Sequence, residues 1–215
     1  MLEDRRALRG TRACSPCCCP ANFCIVTETE EFKALRRLAL ASVGRNVLHF
    51  QRVEAQLKRL VLICDFAASS SDFASRFVDR AAELRTTTMG NLAKELHKHL
   101  YGTPAEPEAE ESITEVLIRI GFRVDADPNY VAHQKKMLDD LVQERNALIH
   151  QDLADFDPNS EESCRRWIAR LDQQNERIVA LHKGLQQLLE TQGEAAKHML
   201  VALESEAFRQ GFKRS

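Results

Sequence analysis

Between Asn46 and Met89 the chain holds neither glycine nor proline. Along that stretch its apolar residues return every three or four positions. Val43, Val47, Phe50, Val53, Leu57, Leu60, Val61 and Cys64 form one stripe, a spacing that only an amphipathic helix lays on a single face. It predicts a long helix over about residues 42–68 and a second over about 71–85. Leu35, Leu38 and Leu40 form a short leading helix ahead of them.

The rest of the chain is punctuated more openly. Thr88 is placed as an N-cap before Leu92, Leu96 and Leu100, and that helix stops at Tyr101-Gly102. A Pro-rich acidic loop follows over residues 102–111. The period then changes from three-to-four to two: Val116, Ile118, Ile120, Phe122 and Val124 alternate with Leu117, Arg119, Gly121, Arg123 and Asp125, which predicts a β-like insertion near residues 114–125. A lone strand needs a partner. It either folds as a hairpin bent at Gly121 or pairs with the same segment of a second copy across a twofold axis.

Pro128 opens the next helix, to residue 150, with Val131, Leu138, Leu141, Val142, Leu148 and Ile149 as its apolar stripe. After a polar loop, Cys164, Trp167, Leu171, Gln174, Ile178, Leu181, Leu185 and Leu188 keep a heptad-like seam. Gly193 is expected to end or bend that helix. The sum is an all-α fold, an antiparallel helical bundle with a short β-like insertion. Residues 1–26 form a disordered Arg/Cys-rich arm, 27–192 the bundle, and 193–215 a C-terminal helical extension.

Composition removes several function classes. The 30 Lys and Arg face 32 Asp and Glu, so the chain lacks the broad cationic field of a non-specific nucleic-acid binder. Five of the seven cysteines crowd between Cys14 and Cys24; Cys64 and Cys164 alone make no disulfide framework. Cys14 and Cys17 form a C-x-x-C pair without a second pair nearby, which disfavours zinc. Arginines beside clustered thiols also fit a lipidated anchor, but a plain extension is the simpler reading. No apolar run reaches the ~18 residues of a membrane helix, and the cytoplasm is the expected location.

The chemistry concentrates at the end of the helix that Pro128 opens. Arg145 stands four residues after Leu141 and four before Ile149, so its backbone position faces inward. A guanidinium keeps its charge and is not left unpaired in a core. Its partner is a bundle carboxylate such as Glu54, a helix C-terminus, a neighbouring subunit or a phosphate. Asn146 and His150 share a face, whereas Arg145 and His150 are splayed by about 140° on an ideal helix. Fraying of the helix end, or a second copy, is required to bring both onto one atom.

The run Glu144-Arg145-Asn146-Ala147-Leu148-Ile149-His150 resembles the signature of HEPN domains, small helical bundles with Arg, a polar residue and then His. The same spacing recurs at Arg177 and His182, but there Ile178 follows the arginine in mid-helix. The resemblance implies a metal-independent endoribonuclease acting as a homodimer, in which Arg145 and His150 are catalytic and Asn146 supports them. It also implies a toxin or defence role with an antitoxin or regulatory protein as partner. In one HEPN subset a tyrosine stands two residues after the histidine; Asp152 stands here.

These residue types suit RNA cleavage. RNA carries its own nucleophile, the ribose 2′-hydroxyl, so the protein must supply a base, a phosphate clamp and an acid. His150 supplies an imidazole, the side chain suited to act as base or acid, Arg145 offers a planar fork to the phosphorane, and Asn146 orients. The products would be a 2′,3′-cyclic phosphate and a 5′-hydroxyl, with no metal or cofactor called for. Arg119 and Arg123, on the polar side of the alternating segment, are the expected extra phosphate contacts. His97 and His99 beside Lys94 and Lys98 are read as a solvated helix end rather than a basic patch beside the cleft, and His133, Asp140 and Glu144 as a polar outer face rather than metal ligands. The competing function class is a non-catalytic helical module that binds a protein or a nucleotide.

Overall fold

The computed structural model describes residues 28–102 and 117–204. The Arg/Cys-rich arm, the acidic loop from residue 103 and the final segment after residue 204 lie outside the described residues. The elements in chain order are α1 (Glu30–Cys64), β1 (Asp65–Ser69), α2 (Phe73–Thr86), α3 (Met89–Tyr101), β2 (Leu117–Gly121), α4 (Pro128–His150), a 3-10 turn (Asp152–Asp155) and α5 (Glu161–Glu204). The fold is all-α with a short β insertion, as the periodicities require.

Helix ends follow local chemistry. Thr29 Oγ1 accepts from Phe32 N at 3.2 Å and Thr88 Oγ1 from Asn91 N at 3.4 Å. Asp127 Oδ1 accepts from Asn129 N at 2.8 Å, with Pro128 in the first turn. Each side chain satisfies amide hydrogens that the helix itself leaves open. At the far end of α3, a Cβ on Gly102 would collide with the Lys98 carbonyl oxygen, so a side chain there would force the chain out of its exit path.

Successive helices alternate in direction. Lys58 reaches the Arg85 carbonyl and Arg80 the Val61 carbonyl, so α2 runs back along α1. Gly90 faces Val142 while Tyr101 and Tyr130 share a cavity, so α4 runs against α3. Glu144 meets Arg177 and Asp152 meets Arg170, so α5 runs against α4. With five α-helices among the described residues, α1 and α5 point the same way. Arg45 reaches Asp172, Asn46 reaches Leu171 and Gln174, His49 reaches Asn175 and Gln56 reaches His182, at a sequence offset that stays within 125–128 residues. This parallel α1–α5 pair is the most extensive helix interface.

Three boundaries differ from the expected ones. The leading helix and the long helix are one, running through Gly44, and α5 runs through Gly193 to Glu204. A mid-helix glycine costs ~1 kcal/mol against alanine, which does not stop a helix held by packing on both sides. The long helix also ends at Cys64 rather than near residue 68, because β1 follows. It supplies the missing partner of β2: the strands pair antiparallel from Asp65↔Gly121 to Ser69↔Leu117. The insertion is therefore neither a hairpin bent at Gly121 nor dependent on a second copy. Phe66 and Ala68 turn inward from β1, and Phe66 packs edge-on against Phe73 and Phe77 of α2 at 5.1 and 5.5 Å between ring centres.

The core lies between α1, α3, α4 and α5, with Phe50, Leu57, Leu60, Leu92, Leu96, Leu100, Leu148, Leu171 and Ile178 fully buried. The ribbon caps one pole, where α1 and α3 end and α4 begins. The end of α4 and the start of α5 form the opposite pole.

Candidate functional site

The Arg145-to-His150 run occupies the last turns of α4, at the pole away from the ribbon. Arg145 shares the inner side of the helix with Leu141 and Leu148, as its spacing demands, and is half-buried. Its guanidinium turns along the helix and donates from Nη1 to Asn146 Oδ1 at 3.0 Å. Of the partners open to Arg145, the bundle carboxylate Glu54 pairs instead with Lys58 Nζ at 2.9 Å, and among the described residues Arg145 makes no ion pair. His150 is the final residue of α4 and exposed. The helix is intact to that point, since Gln151 N still donates to the Ala147 carbonyl at 3.0 Å. The splay of about 140° between Arg145 and His150 is therefore kept; one chain does not focus both on one atom.

A groove of about 280 Å³ runs beside this face, lined by Gln143, Glu144 and Ala147 of α4 and by Arg170, Gln174 and Arg177 of α5. Asn146 and His150 are not part of its lining; they lie further along the same helix, His150 one turn beyond Ala147 and two beyond Gln143. Arg177 Nε donates to Glu144 Oε1 at 2.8 Å, while Glu144 Oε2 is buried without a partner. Arg170 clasps the Asp152 carboxylate and lies over the Trp167 ring at 5.7 Å. The cations nearest the groove thus come from α5, which sequence reasoning missed. The available signal was Gln174, a polar residue in an apolar seam with arginines four before and three after it.

The other expected residues are elsewhere. Arg119 sits on β2 and donates to Asp65 Oδ1 from Nε and Nη2 at 3.1 and 3.0 Å. Arg123 follows β2 and has its Nε buried without a partner. Both precede α4, whose 23 residues span ~33 Å from first to last. Arg119 and Arg123, expected as extra phosphate contacts, therefore stand at the opposite end of α4 from His150 within one chain. His99 Nδ1 lies 3.2 Å from Asp65 Oδ2, and the Nε2 of His97 is buried without a partner, so the two histidines do not form one solvated patch. In the repeated spacing, His182 Nδ1 meets Gln56 Oε1 at 2.7 Å and Arg177 holds Glu144.

Asp140 pairs with Lys136 at 2.6 Å and Glu144 with Arg177, and among the described residues no three His, Cys, Asp or Glu side chains gather as a metal site. The Cys64 thiol is pushed up to about 11 by its burial, reinforced by the neighbouring Asp65 charge; it stays protonated and inert at neutral pH. Burial raises Cys164 as well. No helix among the described residues is long and apolar enough to cross a membrane. Comparison with protein-family models, with curated proteins and with solved structures finds no match to this chain.

Proposed function

We propose that this chain is a HEPN-like, metal-independent endoribonuclease that acts as a homodimer in the cytoplasm, in a toxin, defence or regulatory setting. One observation carries the reading. Arg145 keeps a permanent charge in a half-buried position and holds only a neutral amide oxygen, Asn146 Oδ1. A guanidinium in that state retains donors for an anion, and a phosphodiester is the anion its planar fork fits.

Asn146 is oriented by the same hydrogen bond, which leaves its amide Nδ2 to meet substrate. His150, exposed one turn further on, serves as base to the ribose 2′-hydroxyl or as acid to the leaving 5′-oxygen. The wide splay within one helix gives the second copy its purpose: a twofold axis near the end of α4 sets Arg145 of one copy against His150 of the other. Arg170 and Arg177 border the adjoining groove and are the nearest cations for the flanking backbone of the RNA.

The test is incubation of RNA with the protein in EDTA, followed by analysis of the product ends. Cleavage to 2′,3′-cyclic phosphate ends, lost in both Arg145→Ala and His150→Ala proteins that retain their helical circular dichroism, supports the proposal. No cleavage by the wild type, or full activity in either variant, overturns it in favour of a binding module.

A further inference from the structure

Gln192 is only 6% exposed, yet both its Nε2 and its Oε1 are buried without a hydrogen-bond partner. The other buried side-chain amides are engaged: Asn46 with Leu171 and Gln174, and Gln56 with His182. A carboxamide offers two donors and two acceptor positions, and leaving all of them empty inside a protein is costly enough that such groups call for a specific explanation. Gln192 lines a groove of about 310 Å³ between the end of α1, β2 and the C-terminal part of α5.

The walls of that groove are mostly apolar, with Ile63, Ile120, Phe122, Leu189 and Met199 as the large apolar side chains and Arg119, which holds Asp65, as the charged one. Gly121, Gly193, Ala195 and Ala196 leave depth between them, and a Cβ on Gly193 would meet nothing within 4 Å. The volume is at the small end of ligand pockets. It has room for a one- or two-ring molecule but not for a strand of several residues.

We infer that this groove binds a flat nitrogen heterocycle of the nucleobase class, with the Gln192 side chain turning from its buried position so that the carboxamide pairs the ligand's edge. A glutamine amide presents a donor and an acceptor side by side, the complement of a base edge that carries an amino or imino hydrogen next to a ring nitrogen or carbonyl. Apolar walls that include Phe122 suit the two ring faces. The site is separate from the α4–α5 groove: Gln192 lies 22 residues beyond Arg170 along one helix, ~33 Å away. It stands without the ribonuclease reading, and its test reads binding rather than cleavage.

The experiment is calorimetric titration and thermal-shift measurement of the full chain with adenine, with uracil and with N-acetyl-leucinamide as a non-planar amide. Wild type, Gln192→Leu and Ala196→Trp are compared. At least one base is expected to bind saturably with a dissociation constant below about 1 mM. Gln192→Leu is expected to weaken that binding about tenfold or more, while melting no lower than wild type because it removes two orphaned polar atoms. Ala196→Trp, which fills the groove and leaves Gln192 in place, abolishes binding and covers the case in which Gln192→Leu fails to fold. The inference is overturned if neither base binds, if the variants bind as wild type does, or if the leucinamide binds as tightly as the bases.

Discussion

Asn46 donates from Nδ2 to the backbone carbonyl of Leu171 at 2.8 Å, across the parallel α1–α5 interface and with no exposed surface of its own. The same nitrogen donates to Gln174 Oε1 at 3.0 Å, and Arg45 Nε donates to the Asn46 oxygen at 3.1 Å. Replacing Asn46 by alanine strips the buried Gln174 amide oxygen of its donor and takes one donor from the Leu171 carbonyl, which Arg45 Nη2 also reaches at 3.5 Å. The expected loss is about 2–3 kcal/mol of unfolding free energy, read from urea denaturation. A loss below about 0.5 kcal/mol would mean that water re-enters the interface and satisfies both groups.

Arg145 invites the opposite expectation. It has no carboxylate partner, so Arg145→Ala leaves no buried charge behind and should cost less than about 1 kcal/mol. Combined with loss of RNA cleavage, that small change separates a functional arginine from a structural one. A loss of about 3 kcal/mol or more, the signature of a broken buried pair, would identify a partner acquired in solution.

Arg119 tests the two-pole arrangement. It braces the ribbon through Asp65, whose carboxylate also faces His99 at 3.2 Å. Arg119→Ala should speed amide hydrogen exchange in β1 and β2 and cost about 0.5–1 kcal/mol. RNA cleavage should be unchanged, because the ribbon is at the other end of α4. A large fall in cleavage by this variant would bring the ribbon back into the site.

Cys64 sets an alkaline limit. Its thiol has an ordinary value of 9.0 and is raised to about 11 by burial and by Asp65. The folded state therefore holds this proton more tightly than the unfolded chain does. The stabilisation is complete below about pH 9 and is lost as pH rises through 11, by about 2–3 kcal/mol in all. Urea denaturation of wild type and Cys64→Ala at pH 7, 9 and 10.5 measures it: the difference between the two curves should change only above pH 9.

Gly44 tests helix continuity. A Cβ placed there meets nothing within 4 Å, so Gly44→Ala should raise stability by about 0.5–1 kcal/mol. A hinge between a leading helix and a separate long helix would give no gain, and a melting curve decides the point.

What the sequence made legible was whatever local chemistry governs. Thr88, Tyr101-Gly102 and Pro128 mark the ends of α3 and α4 because caps and breakers act within a few residues. The seam from Cys164 to Leu188 likewise names the inner face of α5. β1 was hidden for the converse reason. Asp65 to Ser69 continues a run free of glycine and proline, and its partner begins 48 residues past its end, at Leu117. The site divides the same way: Arg145, Asn146 and His150 are neighbours on one helix, but Arg170 and Arg177 join the groove only through the antiparallel alignment of α4 and α5.

The constant offset between α1 and α5 also orders events during folding. Phe50, Val53 and Leu57 belong to a helix that is complete by Cys64, yet the ladder they lie along is closed by residues some 126 positions later, from Leu171 to His182. Local helices form in microseconds or less, but contacts this distant in sequence make closure slow. On the ribosome, that face of α1 stays uncovered until α5 has emerged. The last helix is thus the step that commits the chain, and a chaperone that acts on this protein would meet it before that step.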